Sequence, residues 1–137
     1  MSEQPTALPQ PIEDALACSR FLRRQLDSRP WLAAQLVKSI DTPLDATALR
    51  DYLRDEKVDD NNLKTVLRKL RAWVICHALV RDIAGLADLT EVTETMSLLA
   101  DIAVETAHDI LREQLVARHG QPVSADGREQ EFIIIGM

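Results

Sequence analysis

The longest regular pattern in the sequence lies between residues 89 and 119, where apolar and small side chains recur at alternating steps of three and four. Residues spaced in this way lie on one narrow stripe of a helix, which favours packing against a long, nearly antiparallel partner helix. Asp88 with Glu91 three residues later is typical of a capping box, and Gly120 is a natural end. The pattern therefore predicts a long helix that reaches about His119. Its predicted seam is Leu89, Val92, Met96, Leu99, Ala103, Thr106 and Ile110.

A second stripe of apolar residues predicts another long helix, from Asn61 to about Ala84. Asp59 or Asp60 can cap its first turn, and Gly85 can terminate it. Because only a few residues separate this helix from the next, we expect the two to pack as an antiparallel pair. The predicted stripe consists of Leu63, Val66, Leu67, Leu70, Val74 and Ala78.

Three shorter patterns precede this pair. The first predicts one helix over residues 12–26 with a basic back, the second begins at Pro30 and runs to about Ile40, and the third is marked by Leu49, Tyr52 and Leu53. Glycine is scarce while alanine and leucine abound, which favours helices. The sequence therefore predicts an all-α fold, a bundle of about five helices. The apolar stripe of the first helix consists of Ile12, Ala15, Leu16, Cys18, Leu22 and Leu26.

The C-terminal region breaks the helical pattern. Residues 120–130, "GQPVSADGREQ", predict a loop with an Asp-Gly turn, and the run from Phe132 to Ile135 is apolar and rich in β-branched side chains. Such a run favours a strand that is covered on both faces. Residues 131–137 are thus predicted as one C-terminal β-strand. Since no earlier stretch offers a second strand, we expect its sheet to lie in residues that follow this chain.

Composition narrows the class of protein. The chain is 46% hydrophobic and 28% charged, as in globular proteins, and its net charge of -6 argues against a general nucleic-acid binder. Cys18 and Cys76 are expected to be reduced apolar side chains. Residues 1–11 are predicted as a flexible leader, which leaves residues 12–119 as a helical segment. There is no recognisable signal peptide or bilayer-length apolar run, so we expect a cytoplasmic protein without a membrane partner.

Few residues suggest chemistry of their own. His77 directly follows Cys76, and adjacent helical residues diverge too far to share a metal, so a partly buried structural histidine is favoured. His108 and His119 are about three turns apart and are interpreted as surface residues. Arg81 with Asp82 suggests a structural ion pair. The tryptophans and the carboxylates of the last helix are interpreted as packing anchors and a solvated face, with no catalytic or metal residue predicted: Trp31, Trp73, Glu91, Glu94, Asp101, Glu105 and Asp109.

Three stretches read in order carry a resemblance to a known family. They are "LRKLRAWVICHALVRDIAGLADLTEVTETMSLLAD", "LVARHGQPVSADGREQ" and "EFIIIGM". Together they resemble the N-terminal part of bacterial glutamine synthetase adenylyltransferase, the bifunctional adenylyl-transferring and adenylyl-removing enzyme. The resemblance is firm over residues 60–137 and weaker before, where "SRFLRRQLDSRPWLAAQL" fits the family's opening helices.

The resemblance implies a truncated α/β nucleotidyltransferase domain at the C-terminal end of the chain. In the family the apolar strand continues through a Gly-Lys-Leu-Gly-Gly loop toward a Ser-Asp-x-Asp motif whose carboxylates bind metal. Only the first glycine, Gly136, matches here and is expected to help bind the nucleotide. The metal-binding carboxylates are absent from this sequence, and the basic cluster common in the family is replaced by Ala72, Trp73 and His77.

The resemblance further implies a function for the parent protein and a structural role for this part. The parent would remove and add AMP on a tyrosine of glutamine synthetase, using magnesium and ATP or AMP, with a nitrogen-regulatory signal protein as second partner. The start and the ending of the chain favour the adenylyl-removing half, and this part alone is expected to be inactive.

Two alternatives stay open. One is a stand-alone helical interaction module that binds an acidic partner, and the other is a metal-binding bundle that uses the carboxylates of the last helix. The basic patch of the module would be Arg20, Arg23, Arg24, Lys64, Arg68 and Arg71.

Overall fold

A computed structural model describes residues 7–136, and the predicted leader lies largely outside them. Six α-helices make up the regular structure of this range. This bears out the all-α class, with one helix more than the sequence predicts. The bounds are α1 Gln10–Cys18, α2 Arg20–Ser28, α3 Pro30–Ser39, α4 Ala46–Asp55, α5 Leu63–Ile83 and α6 Leu89–His119.

Helix α5 is the centre of the bundle. It contacts each of the other helices. Its second half is buried on nearly every side, including Trp73, Cys76 and Val80 as well as Val74 and Ala78 of the predicted stripe. Around it, Leu22 of α2 and Leu36 of α3 have no exposed surface. Because each fully buried aliphatic side chain contributes about 2 kcal/mol, this shared interior holds the six helices together.

The predicted single helix over residues 12–26 is wrong, since the chain breaks at Ser19. The backbone there is extended (φ -117°, ψ 109°), and the Ser19 side chain accepts the N–H of Leu22 as the N-cap of α2. Arg23 of α2 donates to the carbonyl oxygens of Leu16 and Ala17 at 2.7 and 3.1 Å, which satisfies the end of α1. A serine that can cap therefore overrides a continuous apolar stripe.

The two long helices pack antiparallel, as predicted. Arg81 near the end of α5 meets Glu91 in the first turn of α6, whereas Leu67 near the start of α5 shares a groove with Ala103. The connection is compact because Gly85, at φ 70°, follows the end of α5. The N–H of Leu86 then bonds to the carbonyl of Arg81 at 2.8 Å, which completes a Schellman motif.

The caps predicted for the long helices are largely confirmed. Asp88 accepts the N–H of Glu91 at 2.8 Å, and α6 ends at His119 before Gly120. Asp59 accepts the N–H groups of Asn61 and Asn62 at 2.9 and 3.0 Å, but this orders the turn ahead of α5 rather than its first residue. Helix α5 begins two residues later than predicted because Asn61 belongs to that turn.

The predicted seam of α6 is borne out in part. Leu99 is buried and Val92, Ala103, Thr106 and Ile110 are half-buried, but the other two predicted residues are exposed on α6. Its buried residues are Thr95, Leu99 and Ile102, whereas Leu89 is 78% exposed and Met96 is 38% exposed. Helix α6 contacts α4 as well as α5, so its inner face is set by two neighbours. A pattern of threes and fours fits more than one line along a helix, and contact with α4 selects this one.

The C-terminal strand is also not borne out. Within the described part, residues 131–136 form no strand. The strand-like backbone pairing of residues 7–136 is limited to one isolated bridge between Val123 and Glu129, in the preceding loop. The predicted Asp-Gly turn closes that bridge, with Gly127 at φ 80°. An apolar run needs neighbouring strands to bond its backbone, and residues 7–136 provide none for residues 131–136. Met137 lies outside the described residues.

Candidate functional site

His77 is a buried structural residue, as predicted. Its Nε2 lies 2.9 Å from the carbonyl oxygen of Ser39 and 3.1 Å from that of Thr42. Since both neighbours are acceptors, Nε2 carries the proton and donates to them. Burial lowers the pKa of His77 below its ordinary value of 6.5, and the nearby Arg81 guanidinium also lowers it. The imidazole therefore ties the end of α3 to α5 in its neutral form.

Arg81 pairs with Glu91, not with Asp82 as the sequence suggests. Its Nε and Nη2 donate to the two carboxylate oxygens of Glu91 at 2.6 and 3.2 Å. The remaining donors reach the carbonyl oxygens of Ile40 and Leu86 at 2.8 and 3.1 Å. Asp82 faces away from this network because adjacent helical side chains point about 100° apart. We call Arg81 and Glu91 the buried ion pair.

The aromatic residues pack rather than form an open stacking platform. Trp73 is buried, lies 5.1 Å from the ring of Tyr52, and donates to the Ser39 hydroxyl at 3.1 Å. Burial, assisted by Glu56, raises the pKa of Tyr52 to about 12. Trp31 is partly buried against the same core. Both tryptophans are thus the packing anchors that the sequence predicts.

The carboxylates of α6 do not converge. Glu91 belongs to the buried ion pair, Glu105 bonds Arg50 at 3.1 Å on the surface, and Glu94 and Asp101 are exposed. Among residues 7–136, no three histidine, cysteine or acidic side chains are grouped so as to hold a metal ion.

The remaining candidates for chemistry lie apart. His119 is exposed, whereas His108 is largely covered and stacks on Phe132 with ring centroids 6.3 Å apart. The thiol of Cys76 is buried, and this burial raises its pKa to about 11. Cys18 is exposed and free instead of lying in the core. These positions give no shared reactive centre in the described range.

The C-terminal end carries the largest run of exposed apolar side chains in the described range. Phe132, Ile133 and Ile135 are 75%, 78% and 80% exposed. A groove of about 490 Å³ opens beside them, between the end of α6 and the loop that follows, with Leu111 and Leu115 in its wall. We call this region, residues 132–135 with the groove, the apolar end. Patches of this kind mark surfaces that become covered in an assembly.

Gly136 lies beyond the apolar end and is exposed. No atom comes within 4 Å of the place where a Cβ would stand. The residue expected to contact a nucleotide is therefore accessible and has no other packing role. No helix of residues 7–136 is both long and apolar enough to cross a bilayer.

The fold and these surfaces define an all-α packing module with an exposed apolar end. The family model described as "Glutamate-ammonia ligase adenylyltransferase" matches residues 10–137. The chain therefore belongs to the glutamate-ammonia ligase adenylyltransferase family, which also bears out the resemblance found in the sequence.

Curated relatives agree with this assignment, and each is called a bifunctional glutamine synthetase adenylyltransferase/adenylyl-removing enzyme. The relative from Aromatoleum aromaticum is 52% identical over 137 residues, which is 100% of this chain and 15% of the relative. The Bordetella pertussis relative is 40% identical over 135 residues, covering 93% of this chain and 14% of the relative. The Nitrosomonas europaea relative is 34% identical over 132 residues, covering 92% of this chain and 14% of the relative.

The chain thus spans about 15% of the length of the curated relatives it matches. No solved structure matches it.

Proposed function

We propose that this chain is the helical segment that precedes and supports a nucleotidyltransferase domain in the adenylyl-removing half of the bifunctional enzyme. The exposed apolar end carries this proposal. Three side chains that are at least 75% exposed would be covered once residues 132–135 become an inner strand of that domain. The short share of each relative that this chain spans is in keeping with a large partner domain in the same polypeptide.

The proposed reaction of the parent protein is phosphorolysis. A phosphate oxygen attacks the phosphorus of the AMP group on a tyrosine of glutamine synthetase, and the bond from that phosphorus to the tyrosine oxygen breaks. The tyrosine recovers its proton, and AMP leaves joined to phosphate as ADP. A magnesium ion would neutralise phosphate charge when bound, held by carboxylates outside this chain.

The contribution of this chain to that chemistry is positional. The apolar end would fix the first strand, and Gly136 would begin the loop that follows it toward the nucleotide. A glycine allows backbone N–H groups to approach phosphate oxygens closely. The buried ion pair and His77 hold α3, α5 and α6 together near the start of α6, whereas the apolar end follows its last residue. Glutamine synthetase and a nitrogen-regulatory signal protein are the proposed partners of the whole enzyme in the cytoplasm.

A deadenylylation assay tests the proposal. Adenylylated glutamine synthetase, phosphate and magnesium are incubated with this chain, with the full-length Aromatoleum aromaticum relative, and with a chimera in which this chain replaces the matching residues of the relative. We expect ADP release by the relative and the chimera, and none by the chain alone.

The control is a chimera that carries Ile133→Asp. It should lose activity if residues 132–135 form a buried strand, because a buried unpaired charge is costly. Release of ADP by the chain alone, or full activity of the Ile133→Asp chimera, would contradict the proposal.

A further inference from the structure

Two arginines of α5 form a basic ridge between two grooves, one of mixed character toward α2 and one mainly apolar toward α6. Arg68 and Arg71 are exposed and lie one turn apart. On one side they border a groove of about 300 Å³ with Phe21 and Ile75. On the other they border a groove of about 390 Å³ with Met96 and small residues of α6. We call Arg68 and Arg71 the arginine ridge.

The groove toward α2 holds a third guanidinium that the sequence did not single out. Arg29 lines this groove, and its Nη1 donates to Gln25 at 2.6 Å, which fixes its position. By contrast, Arg23, one of the six residues of the predicted basic patch, is used to cap α1. Arg23 is therefore engaged within the bundle and is not a free member of the predicted patch.

Within residues 7–136, neither residue of the arginine ridge pairs with a carboxylate, and neither does Arg29. The ion pairs of this range involve other basic residues: Arg50, Arg54, Lys69, Arg81, His108 and Arg128. Arg68 and Arg71 thus keep their guanidinium donors available on the surface of a chain whose net charge is -6. A guanidinium prefers a planar carboxylate or phosphate partner that it can bind through two N–H groups.

We propose that the arginine ridge binds an acidic, amphipathic segment of a protein partner. Carboxylates of the segment accept hydrogen bonds from Arg68 and Arg71, and its apolar side chains enter the two grooves beside Phe21 and Met96. Charge complementarity between carboxylates and the exposed guanidinium groups selects an acidic occupant. The mainly apolar groove beside Met96 favours a segment that also carries apolar side chains, which a phosphate backbone lacks. The inference does not depend on the nucleotidyltransferase proposal.

Fluorescence anisotropy tests the inference with the 137-residue chain. The probe is a labelled helical peptide with glutamates on one face and leucines on the other. A second peptide carries glutamine in place of every glutamate, and a single-stranded oligonucleotide of equal charge is the polyanion control. The variants are Arg68→Gln with Arg71→Gln, and Phe21→Ala. The matched control is Lys38→Gln with Arg118→Gln, two exposed basic residues elsewhere.

We expect the acidic peptide to bind more tightly than the glutamine peptide and the oligonucleotide. The double arginine variant should weaken binding at least about tenfold, because two hydrogen-bonded charge contacts are lost. Phe21→Ala should weaken it by a smaller factor, and the control should leave it unchanged. The substituted side chains are all exposed, and circular dichroism verifies that each variant stays folded.

Three results would overturn the inference. They are tighter binding of the oligonucleotide than of the acidic peptide, equal binding of the two peptides, and an equal loss of affinity in the control and the double arginine variant. Absence of peptide binding would count against it as well, since the exposed ridge needs no rearrangement to accept the probe.

Discussion

Arg81 and Glu91 join the ends of the two long helices through a two-point ion pair at 2.6 and 3.2 Å. The side chains are only 6% and 23% exposed. Because Arg81 also donates to Ile40 and Leu86, four chain segments meet at one guanidinium. A charge buried in this way is tolerated only while its partners remain.

Removing one member of the buried ion pair should therefore destabilise the bundle. We expect Glu91→Gln to lower the free energy of unfolding by about 3 kcal/mol, since Arg81 keeps its charge in a covered site. Arg50→Gln breaks the exposed Arg50–Glu105 pair and should cost less than about 1 kcal/mol. Urea unfolding followed by circular dichroism measures both. Equal effects of the two substitutions would contradict the account of the pair.

The neutral state of His77 makes stability depend on pH. Its pKa is lowered in the folded chain, mainly by burial and further by Arg81, while the hydrogen bonds to Ser39 and Thr42 and the Glu91 carboxylate act in the opposite direction. Below pH 6.5, the ordinary pKa of histidine, the unfolded chain binds the proton more readily than the folded chain does. The contribution of His77 is therefore complete above that pH and declines as the pH falls toward the folded pKa.

Unfolding free energies measured across this pH range in His77→Gln check the prediction. Glutamine keeps an N–H donor but cannot titrate, so the variant should be less stable at neutral pH and lose less stability on acidification. His119→Gln removes an exposed histidine and serves as the control. Its unfolding free energy should change with pH as that of the unsubstituted chain does. If His77→Gln kept the same pH dependence of the unfolding free energy as the unsubstituted chain, groups other than His77 would be responsible for that dependence.

Much of the fold was predictable from the sequence because its signals are local. Asp88 and Gly120 mark the ends of α6 through cap geometry that involves only neighbouring residues. Ser19 is as good an N-cap residue as Asp88, but the apolar stripe continues through it and so predicts an unbroken helix. The ion pair of Arg81 was missed for a different reason, since Glu91 becomes its neighbour only after α5 and α6 have packed.

The candidate sites were less predictable than the fold. The basic patch could be recognised from its spacing, but the grooves around Arg68 and Arg71 arise from contacts between α2, α5 and α6. Apart from its place before Pro30, nothing in the sequence around Arg29 predicts that it lines one of these grooves. Residues 132–135 kept the composition of a strand without adopting one, because strand formation depends on neighbours that residues 7–136 lack.

The register of α6 gives a third prediction. Leu99 is 6% exposed and packs against α5, whereas Met96, which the sequence places in the same seam, is 38% exposed. Leu99→Ala should lower the free energy of unfolding by about 3 kcal/mol. Met96→Ala should have a clearly smaller effect, and the same urea titration compares them. A larger loss for Met96→Ala would restore the seam predicted from the sequence.

The cap of α6 gives a fourth prediction. Asp88→Ala leaves the N–H of Glu91 without its side-chain acceptor and should cost about 1 kcal/mol. Asp101→Ala removes an exposed aspartate within the same helix and serves as the control. Thermal unfolding should give a lower midpoint for Asp88→Ala than for the control. Equal unfolding midpoints for the two variants would show that the Asp88 cap does not stabilise α6.

The most direct test of the proposed role is amide hydrogen exchange at residues 132–135. It should be measured in this chain and in the chimera that carries the rest of the Aromatoleum aromaticum relative. Paired strand amides exchange slowly, whereas exposed amides exchange fast. We predict fast exchange in this chain, where these residues form no strand, and strong protection in the chimera. Equally fast exchange in both would contradict the claim that this chain supplies a strand to a following domain.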